Sequence, residues 1–178
     1  DDLPSIYIYR QSKPGNVFTG VVCGASVDEY INDSIKKHEA TLTSREQMFT
    51  DYLDIVGYNA EPVLLAHKSS KEIENLLNLI TTVRAEYEFT TTDLAKHELW
   101  KLTPSETELV KDAFDKLNEL YIVDGHHRSA SSVRLGQQRK KNGSTFSNEN
   151  AFLAYIIDES QLEISEFNRL VKTMNGLS

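Results

Sequence analysis

The chain has 178 residues, and its 19 basic and 27 acidic side chains give a net charge of −8, a balance that argues against a general DNA or RNA partner. Cys23 is the only cysteine, which excludes an intramolecular disulfide and a CxxC metal site and makes a cytoplasmic setting the default. No apolar run is long enough to span a bilayer and no signal peptide opens the sequence, so no membrane partner is expected. The length suits a single domain, and the start at Asp1 without methionine reads as a piece of a longer protein.

Ser5 to Gln11 and Val17 to Val22 read as strands joined by a turn at Lys13-Pro14-Gly15-Asn16. Ser26 to Glu29 has capping-box spacing and opens a short helix through Ile31, and Ile35 to Thr41 reads as irregular. Thr43 to Glu46 repeats the box ahead of Met48, Phe49, Tyr52, Ile55 and Val56 at helical spacing, with Gly57 as the stop. Glu61 to His67 is a strand, and Ser69 to Glu72 caps a helix with Ile73, Leu76, Leu77 and Ile80 on one face. Glu86 to Phe89 and His97 to Leu102 are strand candidates. Thr103-Pro104-Ser105-Glu106 starts a helix whose expected buried stripe is Leu109, Val110, Ala113, Phe114 and Leu117.

Leu120 to Val123 is a buried strand that runs into Asp124-Gly125-His126-His127-Arg128, and Ser129 to Lys141 can all be helical. Beyond a polar loop from Asn142 to Asn150 come a strand at Ala151 to Ile157, a shorter one at Leu162 to Ile164 and a final helix at Glu166 to Met174. Strands and helices interleave, yet several strands sit side by side as hairpins. The expected fold is therefore α/β, with a mixed sheet and flanking helices.

Two segments gather polar groups without an evident structural duty. At the strand–turn–helix junction, unpaired backbone N–H groups of a helix start coincide with His126, His127 and Arg128, which suits an anion and phosphate above all. Asp124 at the strand end suits a Mg²⁺ that bridges phosphate oxygens. The plainer alternative is an Asp–His turn whose side chains only cap the helix. The second segment is Lys36-Lys37-His38-Glu39. A zinc-protease HExxH helix would need histidine at Leu42, and GxxxxGK[ST], GxGxxG and a nucleophile elbow are all absent. Glu39 is left as a general base or metal ligand, with Lys37 as positive charge for a phosphorylated ligand. Together the two segments offer what phosphoryl transfer needs. Arg134, Arg139, Lys140 and Lys141 form a basic cluster best read as a helix C-terminus complementing the dipole.

The strings Lys37-His38-Glu39-Ala40-Thr41 and Val123-Asp124-Gly125-His126-His127-Arg128 resemble a bacterial and archaeal domain-of-unknown-function family, family 1015. That family is related to the SerK-like free serine kinases and, through them, to the ParB/sulfiredoxin superfold. The resemblance covers nearly the whole chain, including Ser5 to Tyr9, Leu99-Trp100 and Phe167-Asn168-Arg169. It implies a ParB/sulfiredoxin-like domain and transfer of phosphate from ATP or ADP, with Mg²⁺, to a small hydroxyl-bearing metabolite such as L-serine. Catalysis would rest on Glu39 with His38; nucleotide phosphates would meet Gly125, His126, His127, Arg128 and Lys37; Asp124 would hold the metal. Sulfiredoxin chemistry needs a cysteine where His126 stands, and ParB-like DNA binding sits badly with the net charge. A non-catalytic nucleotide-binding regulatory module is the alternative that the same residues leave open.

Overall fold

The computed structural model describes residues 5–143, 150–164 and 166. Strands β1 (Tyr7–Lys13) and β2 (Asn16–Ser26) form a hairpin whose turn places Gly15 at φ 89°. Ser26 then caps α1 (Val27–Ile31), its hydroxyl accepting from the N–H of Glu29 at 3.3 Å. A two-residue strand β3 (Ile35–Lys36) leads to α2 (Thr43–Val56), which Gly57 closes in the left-handed conformation. The chain continues through β4 (Val63–His67), α3 (Lys71–Ile80), β5 (Tyr87–Thr90), β6 (Lys96–Lys101) and α4 (Pro104–Phe114). Further along come β7 (Leu120–Asp124), α5 (His126–Lys141), β8 (Ala151–Asp158) and a 3₁₀ turn (Glu159–Gln161).

The strands form one mixed eight-stranded sheet, in the order β3-β7-β4-β8-β2-β1-β6-β5, with helices flanking it. Only the β3–β7 and β4–β8 pairs are parallel. The antiparallel β4–β7 pair decides which rim of the sheet each strand end reaches. Leu64 lies opposite Asp124 and Ala66 opposite Tyr121, so the end of β7 and the end of β4 open on opposite rims of the sheet.

Two groups of buried side chains fill the interior. Ile8, Val21 and Trp100 pack with Ile73, Leu77 and Val110 of α3 and α4, while Ile35, Leu65, Ile122 and Phe152 pack with Val27 of α1 and Val133 of α5. Cys23 and Phe114 touch both groups, which makes the core continuous. Each such side chain fully buried stabilises the fold by about 1.5–3 kcal/mol. Burial, with a smaller effect from Glu29, pushes the Cys23 thiol up to about 12, so it is an inert core group. No helix among the described residues is long and apolar enough to cross a membrane.

Several sequence expectations need correction. Ile35–Lys36 is a short strand beside β7 rather than irregular chain, because Ile35 enters the core at 0% exposure. The N-cap of α2 is Leu42, with no side-chain cap; Glu46 instead takes the hydroxyl of Thr41. Helix α5 begins at His126, within the strand–turn–helix junction expected there. Leu109 is exposed on α4, and Met48, Tyr52 and Ile55 are exposed on α2. The latter helix instead buries Thr50, and its Glu46 carbonyl accepts from Thr50 at 2.7 Å and from Ser131 of α5 at 3.2 Å. Leu162 to Ile164 is not a strand, and the expected helix from Glu166 to Met174 lies outside the described residues after Glu166.

Of the two strand glycines, Gly20 is the more tightly packed. A Cβ there would stand 2.3 Å from the carbonyl oxygen of Ile156 and 2.8 Å from the Tyr155 ring, whereas one at Gly24 would meet only the Ala151 methyl at 3.0 Å. Overpacking of this kind costs about 1–3 kcal/mol. Gly20→Ala should therefore lower the urea midpoint well below that of Gly24→Ala; equal midpoints would show that the β2–β8 contact yields easily.

Candidate functional site

At the end of β7 the chain must reverse into α5 within one residue. Gly125 does this as the N-cap of α5, at φ 98°, a conformation open to glycine and strained for other residues. Its missing side chain also makes room, since a Cβ would lie 3.2 Å from Nε of Arg128. The consequence for chemistry is that no side chain caps α5, and the first turn of His126, His127 and Arg128 carries no acid. The backbone N–H groups of that turn have no partner within the helix.

Helix α2 shares this property. The other α-helices are capped by Ser26, Ser70 and Thr103, but neither Leu42 nor Gly125 supplies a side-chain cap. The two uncapped ends meet: the N–H of Leu42 donates to Nε2 of His127 at 3.3 Å. The α2 end carries Glu46 in its first turn, so it is the acid-free, uncapped start of α5 that makes the place receptive to an anion.

The segment between β3 and α2 brings the second cluster to the same place. The rings of His38 and His126 meet edge to face at 4.4 Å, and Oε2 of Glu39 stands 3.6 Å from Nδ1 of His126. His126 is 5% exposed, whereas Glu39 is 60% exposed. Burial, and then the neighbouring His38, holds the His126 imidazole below its ordinary pKa against the pull of Glu39 and Asp124, so the ring is neutral near pH 7. Its Nε2 is buried with no hydrogen-bond partner among the described residues, an uncommon state for an interior nitrogen.

Glu39, His38, His126, His127 and Gly125 thus come together as one group, while the remaining candidates are engaged at its edges. Arg128 donates to the carbonyl of Pro62 at 2.7 Å, to Glu61 at 3.0 Å and to Asp124. Lys37 turns toward α1, with Nζ 2.8 Å from the Tyr30 carbonyl, 3.4 Å from Asp33 and 4.4 Å above the Tyr30 ring. Glu61, Pro62, Tyr30 and the Leu42 N–H were missed by motif reasoning, because they act through position rather than through a string. A hollow of about 300 Å³ opens beside Arg128, lined by Phe49, Tyr52, Leu53 and Asn59.

Among the described residues no three His, Cys, Asp or Glu side chains form a metal-binding group. Asp124 is exposed and gives one oxygen to Arg128. That donor set fits a hard cation arriving on a phosphate, which takes only one or two carboxylates from protein, and does not fit an all-protein cage.

Gly125→Ala should cost about 1–3 kcal/mol in urea unfolding through its positive φ, with the crowded Arg128 guanidinium adding to the loss. For His126, whose folded pKa is depressed, stability is fully present above the unfolded value near 6.5 and is lost as pH falls through the folded value. Melting between pH 7.5 and 5 should fall less steeply in His126→Asn than in the native chain; parallel curves would mean that His126 does not titrate on unfolding.

No curated protein and no solved structure matches the chain. One family model does, described as a protein of unknown function, DUF1015, and it spans residues 1–178. With every residue of the sequence inside that match, the chain belongs to the DUF1015 family.

Proposed function

We propose that the protein is a nucleotide- and Mg²⁺-dependent kinase for a small hydroxyl-bearing metabolite, L-serine being the acceptor implied by its resemblance to free serine kinases. The observation that carries the reading is the meeting of Glu39 with the first turn of α5, at 3.6 Å from His126, where two uncapped helix ends converge. Phosphate oxygens would sit on the N–H groups of that turn, beside His127 and Arg128. His126 is too buried to reach a ligand directly. Its role is to hold the His38–Glu39 segment against the helix.

Glu39, exposed and adjacent, would take the proton of the acceptor hydroxyl as its oxygen bonds to the terminal phosphorus. The bridging oxygen would leave with ADP if ATP is the donor, or with AMP if ADP is. Mg²⁺, when bound with the nucleotide, would neutralise phosphate charge, and Asp124 is the residue placed to hold it. Lys37 would have to leave Tyr30 and Asp33 to add its charge. The hollow beside Arg128, walled by Phe49 and Tyr52, is large enough for a nucleoside. This reading treats the sheet as ParB/sulfiredoxin-like and the protein as cytoplasmic, without a nucleic-acid or membrane partner.

A second reading is favoured by one observation. Arg128 and Lys37 already have carboxylate partners, which suits a regulatory module that binds nucleotide without transferring phosphate. Glu39→Gln separates the two. A kinase should lose about 10²–10⁴-fold in phosphate transfer to free serine while calorimetric binding of ATP or ADP with Mg²⁺ stays within about twofold. Binding without transfer in the native protein supports the module, and normal turnover in the variant removes Glu39 from the mechanism.

A further inference from the structure

The opposite rim of the sheet holds a second cleft, of about 500 Å³, that the phosphate reading does not use. It lies where the parallel strands β4 and β8 end side by side, with His67 in register with Asp158. Ligands of α/β proteins commonly settle beyond the carboxyl ends of such strands. The loop after β4 runs straight into α3, a ten-residue helix whose first turn forms one wall of the cleft.

Three kinds of group face this space. Donors come from the start of α3: the N–H groups of Lys71 and Glu72 have no partner inside the helix, and the Ser70 hydroxyl caps Ile73 through its oxygen, leaving its hydrogen free. Acceptors come from the strand ends. His67 is 2% exposed, and its Nδ1 lies 2.8 Å from the Lys68 carbonyl, so Nδ1 carries the proton and Nε2 is an acceptor. No partner for that Nε2 occurs among the described residues, although the ring forms part of the cleft wall. Beside it, one oxygen of Asp158 accepts from Ser69 at 2.6 Å and from the N–H of Ser160 at 2.8 Å, and the other makes no hydrogen bond among the described residues. Lys71 and Glu74 at the mouth pair with each other at 2.6 Å and neutralise one another. Apolar wall comes from Ile73, Leu77 and Val17.

Donors at one end, acceptors at the other and an aliphatic wall between them match one class of small molecule. We infer that this cleft binds a free aliphatic α-amino acid, its carboxylate on the first turn of α3, its ammonium between Asp158 and His67, and its side chain against Ile73 and Leu77. An ammonium has the hydrogens to serve both acceptors at once. Because β4 and β7 run antiparallel, the site is separate from the turn at Gly125, and its occupant needs no hydroxyl to phosphorylate.

The test uses amide-resolved NMR of the full chain with L-valine, isovalerate, which lacks the ammonium, and isobutylamine, which lacks the carboxylate. L-Valine should shift the amides of Lys71, Glu72 and Ser160 with a Kd of about 1 mM or tighter, and both fragments should bind at least about tenfold more weakly. Asp158→Asn keeps the oxygen that accepts from Ser69 and Ser160, so it should fold normally and lose about tenfold in affinity for L-valine. Isovalerate binding as well as L-valine would leave only an anion site and overturn the assignment. So would silence at these amides, shifts confined to Gly125–Ser129, or unchanged affinity in the folded variant. The ligand series on the native chain decides the matter even if the variant unfolds. None of these outcomes depends on whether Glu39 supports phosphate transfer.

Discussion

A helix that starts on a left-handed glycine gives up the side chain that would normally fill its first turn. That single constraint at Gly125 shapes the candidate site. It lets β7 pass into α5 without a loop, brings Arg128 over the glycine's bare face and leaves three backbone donors for something other than the protein. Serine or aspartate at the same place would cap the helix and close the turn to an outside anion. The helix is held nonetheless, because it is anchored elsewhere. Ser131 donates to the Glu46 carbonyl, Ser129 is fully buried, and Arg139 pairs with Asp54 near the far end.

The burial of His126 is the counterpart of that exposure. A neutral imidazole locked under the turn offers the His38–Glu39 segment an edge to pack on, and so fixes a stretch of chain that has little secondary structure of its own. Its neighbour His127 ties in the start of α2. Consecutive histidines on one helix point about 100° apart, so the pair reaches two partners from one turn. Two adjacent residues of the same type therefore do different work, one as internal support and one at the open surface.

Most of the architecture was legible in the sequence because its signals are local. Ser26, Ser70 and the Thr103–Glu106 box announced three helices, Gly57 stopped a fourth, and the Leu120–Val123 run marked a central strand. The meeting of Glu39 with His126 was an inference from chemistry rather than pattern; their sequence separation gives no local signal, and the parallel pairing of β3 with β7 is what joins them. What stayed hidden was partner choice. Nothing local tells that Lys37 prefers the face of Tyr30, that Arg128 finds the Pro62 carbonyl, or that Thr43–Glu46, with the spacing of a capping box, gives its glutamate to Thr41 instead. The apolar row of α2 misled for a related reason, since hydrophobic periodicity identifies a helix but not which side its neighbours cover.

The pairing of Arg128 with Asp124 raises the question of whether the turn is already satisfied and so closed to a ligand. Energetics argue that it is not. Asp124 is 69% exposed, and solvent-exposed ion pairs contribute only about 0–1 kcal/mol. Parting the two therefore costs little. The two residues are not equally free to move: Arg128 is also held by the Pro62 carbonyl and Glu61, whereas no other hydrogen bond fixes the Asp124 carboxylate among the described residues. A phosphate-borne cation would draw Asp124 away and leave the guanidinium in place with a donor freed toward the phosphate. The ion pair thus keeps an acid and a base in position without committing either strongly, and on the proposed reading a nucleotide with its metal would find charged groups of both signs to exchange with.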